Sequence, residues 1–466
     1  MDERFTNESR SVNPRRRPRS KVQIFKEAYL PVIITGIALL LILIFIIGSI
    51  VRAVQRKKYE QDVNLAVSAS VAAEQERLTR EAEELLIIAA DYAEQFDYTA
   101  AIEALNSYSG DILKHDAISA KLVEYTAAQE SMVLWNDPNQ VLNLSFQMLI
   151  ADPERAFKDA IYGSSYNQNF ITTEEFSKIL SQLYENNYIL IRLSDITDGK
   201  SVKDLYLPSE KKPLILTQTQ VNYNTYMVDS DGDKLPDAGG DGFASKLIID
   251  ENGNVVCEMV DSTGETVTGN FDLVPILDAF VETHPDFSYK GAKAILAVTG
   301  YDGLFGYRTN ASASGTFDLS EQTSKATEIF KALQANGYEI ACYTYANIAY
   351  GVSTIDQIKE DINQWSAEIS PILGDVDTLV FARNSDISTM SAAYSGEKFS
   401  VLQSLGFTNY LGFCTEGKPW FTAGSDHIRQ GRLLVSGANL ASHPDWFNGI
   451  FDAASVLDST RNTPAA

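Results

Sequence analysis

"GYEIACYTYANIAYG", Gly337–Gly351, is the stretch on which the reading of this chain turns. Tyr338–Ala341 reads as a strand, and the small residues that follow read as a turn. At a strand end, the spacing H-T-x-x-H would set two imidazoles over one metal ion. Tyr343 and Asn347 occupy those two slots. The stretch is either a metal site that has lost its ligands or one that never held a metal.

Working outward, the same alternation continues on both sides. From Asn136 onward, apolar strand-like runs alternate with amphipathic helices. The runs are "VLNLSFQMLI", "YILIRLSDI", "PLILTQ", "AKAILAVTG", "YEIACY", "DTLVFA" and "YLGFCT". Helices are expected at Thr173–Asn186, Val274–Glu282, Leu319–Ala335 and Ser353–Ile369. This rhythm implies a mostly parallel sheet, and with more than six units the sheet curls toward a barrel. Phe243–Val267 breaks the rhythm and reads as two strands joined by an Asn252-Gly253 turn, a β-hairpin inserted between barrel elements.

The N-terminal part has a different character. Ala28–Val51 is an uncharged apolar run, long enough to cross a bilayer as a helix. Eight basic residues precede it, and Arg52, Arg56, Lys57 and Lys58 follow, which favours a cytoplasmic N-terminus and a large domain outside. Residues 1–58 hold 12 Lys/Arg against 4 Asp/Glu, a balance of +8, so the remainder carries −32 of a total of −24. So acidic a body argues against nucleic acid as a ligand. Lys57–Glu84 reads as a helical stalk. Glu83–Tyr108 reads as two helices meeting at Phe96–Tyr98, in a tetratricopeptide-like pattern, with a third helix at Ala117–Gln129. Cys257, Cys342 and Cys414 lie far apart and read as small buried hydrophobes.

Seven stretches carry a family resemblance: "LIADPERAF", "ITTEEFSKILSQLYENNYILIRLSDI", "LPSEKKPLILTQTQVNYNTYM", "GDGFASKLIIDENG", "HPDFSYKGAKAILAVTGYDGLFGYRT", "LQANGYEIACYTYANI" and "FDAASVLDSTR". From about Val141 to Arg461 the chain resembles the polysaccharide deacetylases, the NodB-homology fold of carbohydrate esterase family 4, in a bacterial membrane-anchored subgroup. The resemblance implies an α/β fold: a distorted (β/α) barrel with a groove at the C-terminal ends of its strands. The expected organisation is a basic cytoplasmic tail at 1–27, a transmembrane helix at 28–51, a stalk at 52–82, a helical segment at 83–135 and the barrel domain at 136–466.

Members of that family hydrolyse an N-acetyl amide with a metal held by one Asp and two His, a second Asp as base and a further His as acid. Their T-F-D-D motif falls on Thr217, Gln218, Thr219 and Gln220, and their H-S/T-x-x-H motif on Tyr343 to Asn347. The degenerate positions are therefore Thr219, Gln220, Tyr343 and Asn347, and no catalytic metal is expected. Asn143 and Gln147 stand where the subgroup carries histidines, and Ala382 in "FARNSD" stands where Pro is expected; Arg383 has no assigned place. Of the four histidines, only His427 lies near the family's late segment. Gln218, Gln220, Tyr343, Tyr345, Asn347 and Trp420 are candidate ligand-binding residues, because amides, phenols and aromatic rings suit sugar hydroxyls and pyranose faces. The aromatics among them equally suit packing of the barrel mouth. Asp229, Asp231, Asp233 and Asp237 take the spacing of a calcium loop, although Lys234 replaces the usual Gly.

Three functions follow from this reading. The first is a catalytically degenerate protein of the cell membrane that binds envelope glycan or peptidoglycan. The second is an active metal-dependent N-deacetylase. The third is a scaffold for protein partners through the helical segment.

Overall fold

The computed structural model describes residues 20–461 except 136, 391 and 392. Most of the expected basic tail therefore lies outside the described residues. The chain forms two units, Met1–Glu83 and Glu84–Ala466. The first is dominated by the α-helix Leu30–Glu94. Its early turns are apolar on every side and exposed, including Leu39, Leu41 and Phe45. This helix is long and apolar enough to cross a membrane. Its later turns are polar; Arg77 pairs with Glu74 and Glu81 one turn away on either side.

In the second unit the helix stops at Glu94. Phe96 turns the chain with φ +60°, and the Asp97 carboxylate caps the next helix, Tyr98–Asn106, by accepting from the Ala100 N–H. The third helix, Asp116–Glu130, packs on it through Tyr98 and Tyr125. The two expected junctions fall within a residue or two of the observed ones.

Seven parallel strands then close into a barrel: β1 (Leu142–Phe146), β2 (Lys212–Thr219), β3 (Ala294–Val298), β4 (Glu339–Cys342), β5 (Thr378–Val380), β6 (Asn409–Phe413) and β7 (Ile428–Leu434). Each pairs with the next in the sequence, and β7 pairs with β1. The fold is a distorted (β/α) barrel. The distortion is visible at β2. Its first residues pair with a short extra strand, Tyr188–Leu190, and its last residues pair with β3.

Strands covered on both faces read as continuous apolar runs, which is why "AILAV" in β3 is wholly buried. Alternate residues divide into two clusters. Ile215, Ile295, Ala297, Ala341, Val380, Leu411 and Ile428 fill the barrel. Leu144, Phe146, Leu216, Leu296, Leu379 and Leu433 face the surrounding helices. Those helices start where their caps dictate. Thr172 with Glu175, and Thr354 with Gln357, form reciprocal capping boxes.

The insertion differs from its expected form. It is a three-stranded antiparallel sheet, Lys246–Ile249, Val255–Val260 and Thr266–Gly269. The third strand follows a second tight turn, in which the Asp261 carboxylate accepts from the Thr263 and Glu265 N–H groups.

Candidate functional site at the barrel mouth

The inward faces of β1, β2 and β7 are polar. Thr217 donates to the Asn143 amide oxygen at 2.9 Å, and Asn143 donates to Gln430 at 3.1 Å. Gln430 closes this layer on the Val141 carbonyl. Asn143 thus belongs to a neutral hydrogen-bonded layer within the barrel.

Two residues further along the strands, toward their C-terminal ends, lies a second polar layer. Arg432 donates to the Ser145 hydroxyl at 2.6 Å. Its guanidinium carbon lies 4.2 Å from the centre of the Phe413 ring, its register partner on β6. Arg432 is fully buried, and burial pushes its pKa down to about 10. Tyr343, on the inward face just past β4, is buried nearby, and its hydroxyl accepts from the Arg383 N–H at 3.4 Å. The Arg383 side chain donates to the Asn347 carbonyl at 2.9 Å. Thr219 ends β2 and donates to the Phe146 carbonyl.

The loops after these strands are conformationally costly. Gln220, Thr344, Asn347, Arg383 and Asn384 all have positive φ. Such a conformation is tolerated by Asn but strained for a β-branched residue such as Thr344. Asp361, from the helix Ile355–Glu368, holds the loop after β4. Its buried carboxylate accepts from the Tyr345 and Ala346 N–H groups and from the Tyr350 hydroxyl. Burial raises the pKa of this carboxyl, and its three donors oppose the rise. A second brace joins the loops after β2 and β3: Asp302 accepts from the Thr225 N–H and hydroxyl.

The candidate ligand-binding residues do not all reach this mouth. Thr219, Gln220, Tyr343 and Asn347 stand at strand ends on the barrel rim. Gln218 lies on the outward face of β2 and donates to the buried Asp272 carboxylate at 2.6 Å. Tyr345 also faces away from the barrel. Its hydroxyl donates to Glu368 at 2.7 Å, and its ring lies over Gly300, where it leaves no room for a Cβ. Trp420 packs outside the barrel against Gly431, with its indole N–H on the Phe413 carbonyl. Gln147 donates to the Asn169 carbonyl at 3.4 Å.

The histidines take structural positions. His427 precedes β7, at the opposite end of that strand from Leu434, and stacks on Tyr394. His443 stacks on Trp446, His284 on Phe280, and His115 caps a helix. Among the described residues, one group of three metal-type ligands converges, Asp229, Asp231 and Asp237. Asp233 is not part of that group; its carboxylate accepts from the Leu235 N–H. Asp241 is engaged by the Tyr166 hydroxyl. The three cysteines are free, with Cys257 and Cys342 buried.

The donor set at the mouth does not fit a hydrolytic metal. Thr219, Gln220, Tyr343 and Asn347 present no carboxylate or imidazole, and the charge in the inward layer, Arg432, is of the same sign as a metal ion. Sequence reasoning missed Arg432, Ser145 and Asp361. The alternation Ile428, Gln430, Arg432 along "IRQGRLL" was the available signal for a strand with a polar inner face.

No protein-family profile and no curated protein matches the chain. Among solved structures, the chain is similar to the Streptococcus pyogenes deacetylase PplD, solved in complex with acetate, at 10% identity and a TM-score of 0.36. The similarity covers 66% of this chain and 95% of that one.

Proposed function

We propose that this chain is a bacterial, membrane-anchored, polysaccharide deacetylase-like protein whose barrel holds a cell-envelope glycan and does not hydrolyse it. One helix fixes it in the membrane, with the N-terminus in the cytoplasm and the barrel outside. The observation that supports this reading is that Thr219, Gln220, Tyr343 and Asn347 present hydroxyl, phenol and amide groups near a buried guanidinium, with no carboxylate or imidazole among them. Such groups hydrogen-bond sugar hydroxyls well but cannot activate water near neutral pH.

Calorimetric titration of the full-length protein in detergent with chitooligosaccharides and peptidoglycan fragments tests the reading. Saturable binding is expected. Gln220→Ala and Asn347→Ala should each weaken it about tenfold, the loss of roughly one good hydrogen bond. Absence of binding to both glycans would count against the reading.

We further propose that Asp229, Asp231 and Asp237 take calcium weakly. Millimolar calcium should then raise the melting temperature, and Asp229→Asn should remove the rise.

A second reading, a scaffold for protein partners, is favoured by a cavity of about 320 Å³ between the helical segment and the barrel. Phe96, Tyr98, Tyr206 and Tyr289 contribute to its walls.

A further inference from the structure

Three arginines are buried among the described residues: Arg308, Arg429 and Arg432. Two face carboxylates. Arg429 donates to Asp386 at 2.9 Å, and Arg308 lies 3.6 Å from Asp302. Arg432 faces no carboxylate among the described residues, although it is the most buried of the three. Its partners are neutral: the Ser145 hydroxyl and, at a long 3.5 Å, the Phe381 carbonyl. Its Nε–H has no partner among the described residues. A guanidinium offers five donors, and most of these are unused.

Burying a lone cation costs several kcal/mol, and packing alone does not require one here, since a Met of similar length would fill the same space. The position also has a direction. Arg432 lies in the layer at the C-terminal ends of the strands, beneath the strained loops after β2, β4 and β5. One face of the guanidinium is covered by Phe413, which is itself only half-buried.

We propose that Arg432 is an anion-binding centre at the barrel mouth, and that the glycan held there carries a carboxylate or a phosphate. The anion docks on the unused N–H edge after Phe413 swings aside, forming the paired hydrogen bonds that suit guanidinium. The inference rests on the glycan-binding reading for the identity of the ligand, but the site itself can be tested without a glycan.

The test follows the melting temperature of the full-length protein in detergent against inorganic phosphate and against glucuronate, with chloride at matched ionic strength. The expected result is a saturable rise of about 2 °C or more over chloride with one of the two anions. The anion that saturates at the lower concentration identifies the group. Arg432→Met should melt at or above the wild-type temperature in chloride and lose the anion-dependent rise. Phe413→Ala, which uncovers the guanidinium, should saturate at a lower anion concentration, and it serves should Arg432→Met fail to fold. A wild-type melting temperature that follows ionic strength alone would overturn the proposal. So would an anion response retained by Arg432→Met. Glycan affinity with no anion response rejects this inference and keeps the glycan reading. An anion response with no glycan affinity does the reverse.

Discussion

Asp361→Ala should destabilise the barrel unit by about 3 kcal/mol or more in urea titration and release the loop Tyr343–Asn347 to rapid amide exchange. The buried carboxylate serves three donors at once: two backbone N–H groups and the Tyr350 hydroxyl. Removing it leaves two buried donors, the Tyr345 N–H and the Tyr350 hydroxyl, without an acceptor, and each buried unsatisfied donor costs about 1–3 kcal/mol. The same carboxylate holds the turn in which Thr344 keeps its positive φ, so its loss also lets that strain relax. Asp361→Asn should lose roughly half as much, because one carbonyl oxygen can still accept. An Asp361→Ala variant within about 0.5 kcal/mol of wild type, with an unchanged exchange pattern, would show that the loop is held by other means.

Glu175→Ala should cost about 3–5 kcal/mol, the usual loss when one member of a buried ion pair is removed. Glu175 is fully buried and pairs with Arg461, close to the C-terminus. It also accepts from the Thr172 and Asp458 N–H groups. Arg461 donates in addition to the Asn167 and Phe170 carbonyls. One carboxylate therefore caps the helix Thr173–Glu185 and ties down the final segment of the chain. Arg461→Ala should cost a similar amount. The double variant should cost clearly less than the sum, with a coupling of about 1–3 kcal/mol. Additive losses would mean that the two side chains act independently.

The barrel was legible because its strands are covered on both faces. Runs such as "AKAILAVTG" and "PLILTQ" lack the polar alternation of a surface strand, and capped helices separate them at a regular rhythm. The third strand of the insertion escaped notice because Thr266–Gly269 is short, polar and largely exposed. The positions Thr219, Gln220, Tyr343 and Asn347 were set by the family resemblance, whose two motifs fall there. Gln218 did not belong with them because it sits between the inward-facing Thr217 and Thr219 and so points the other way. Tyr345 lies past the end of β4, where the positive φ of Thr344 breaks the strand period and turns it away from the barrel. Trp420 turns away from the mouth because Gly431, opposite it across the hairpin that Phe421–Ala423 makes with β7, leaves a bare patch for its indole on the outer face. Arg432 was hidden for a different reason. In "RQGRLL", with two arginines in four residues, Arg432 looks like a surface residue of an edge strand, and only closure of β7 onto β1 puts it inside.

The central claim is that this barrel has exchanged hydrolytic chemistry for binding. Metal content per chain, measured after incubation of the full-length protein with zinc, cobalt or nickel and then dialysis, tests it most directly alongside acetate release from acetylated chitooligosaccharides. The expected result is less than one tightly held metal per chain and acetate no higher than in the protein-free blank. One metal per chain with multiple turnovers, both abolished by substitutions at Gln220, Tyr343 or Asn347, would contradict the account.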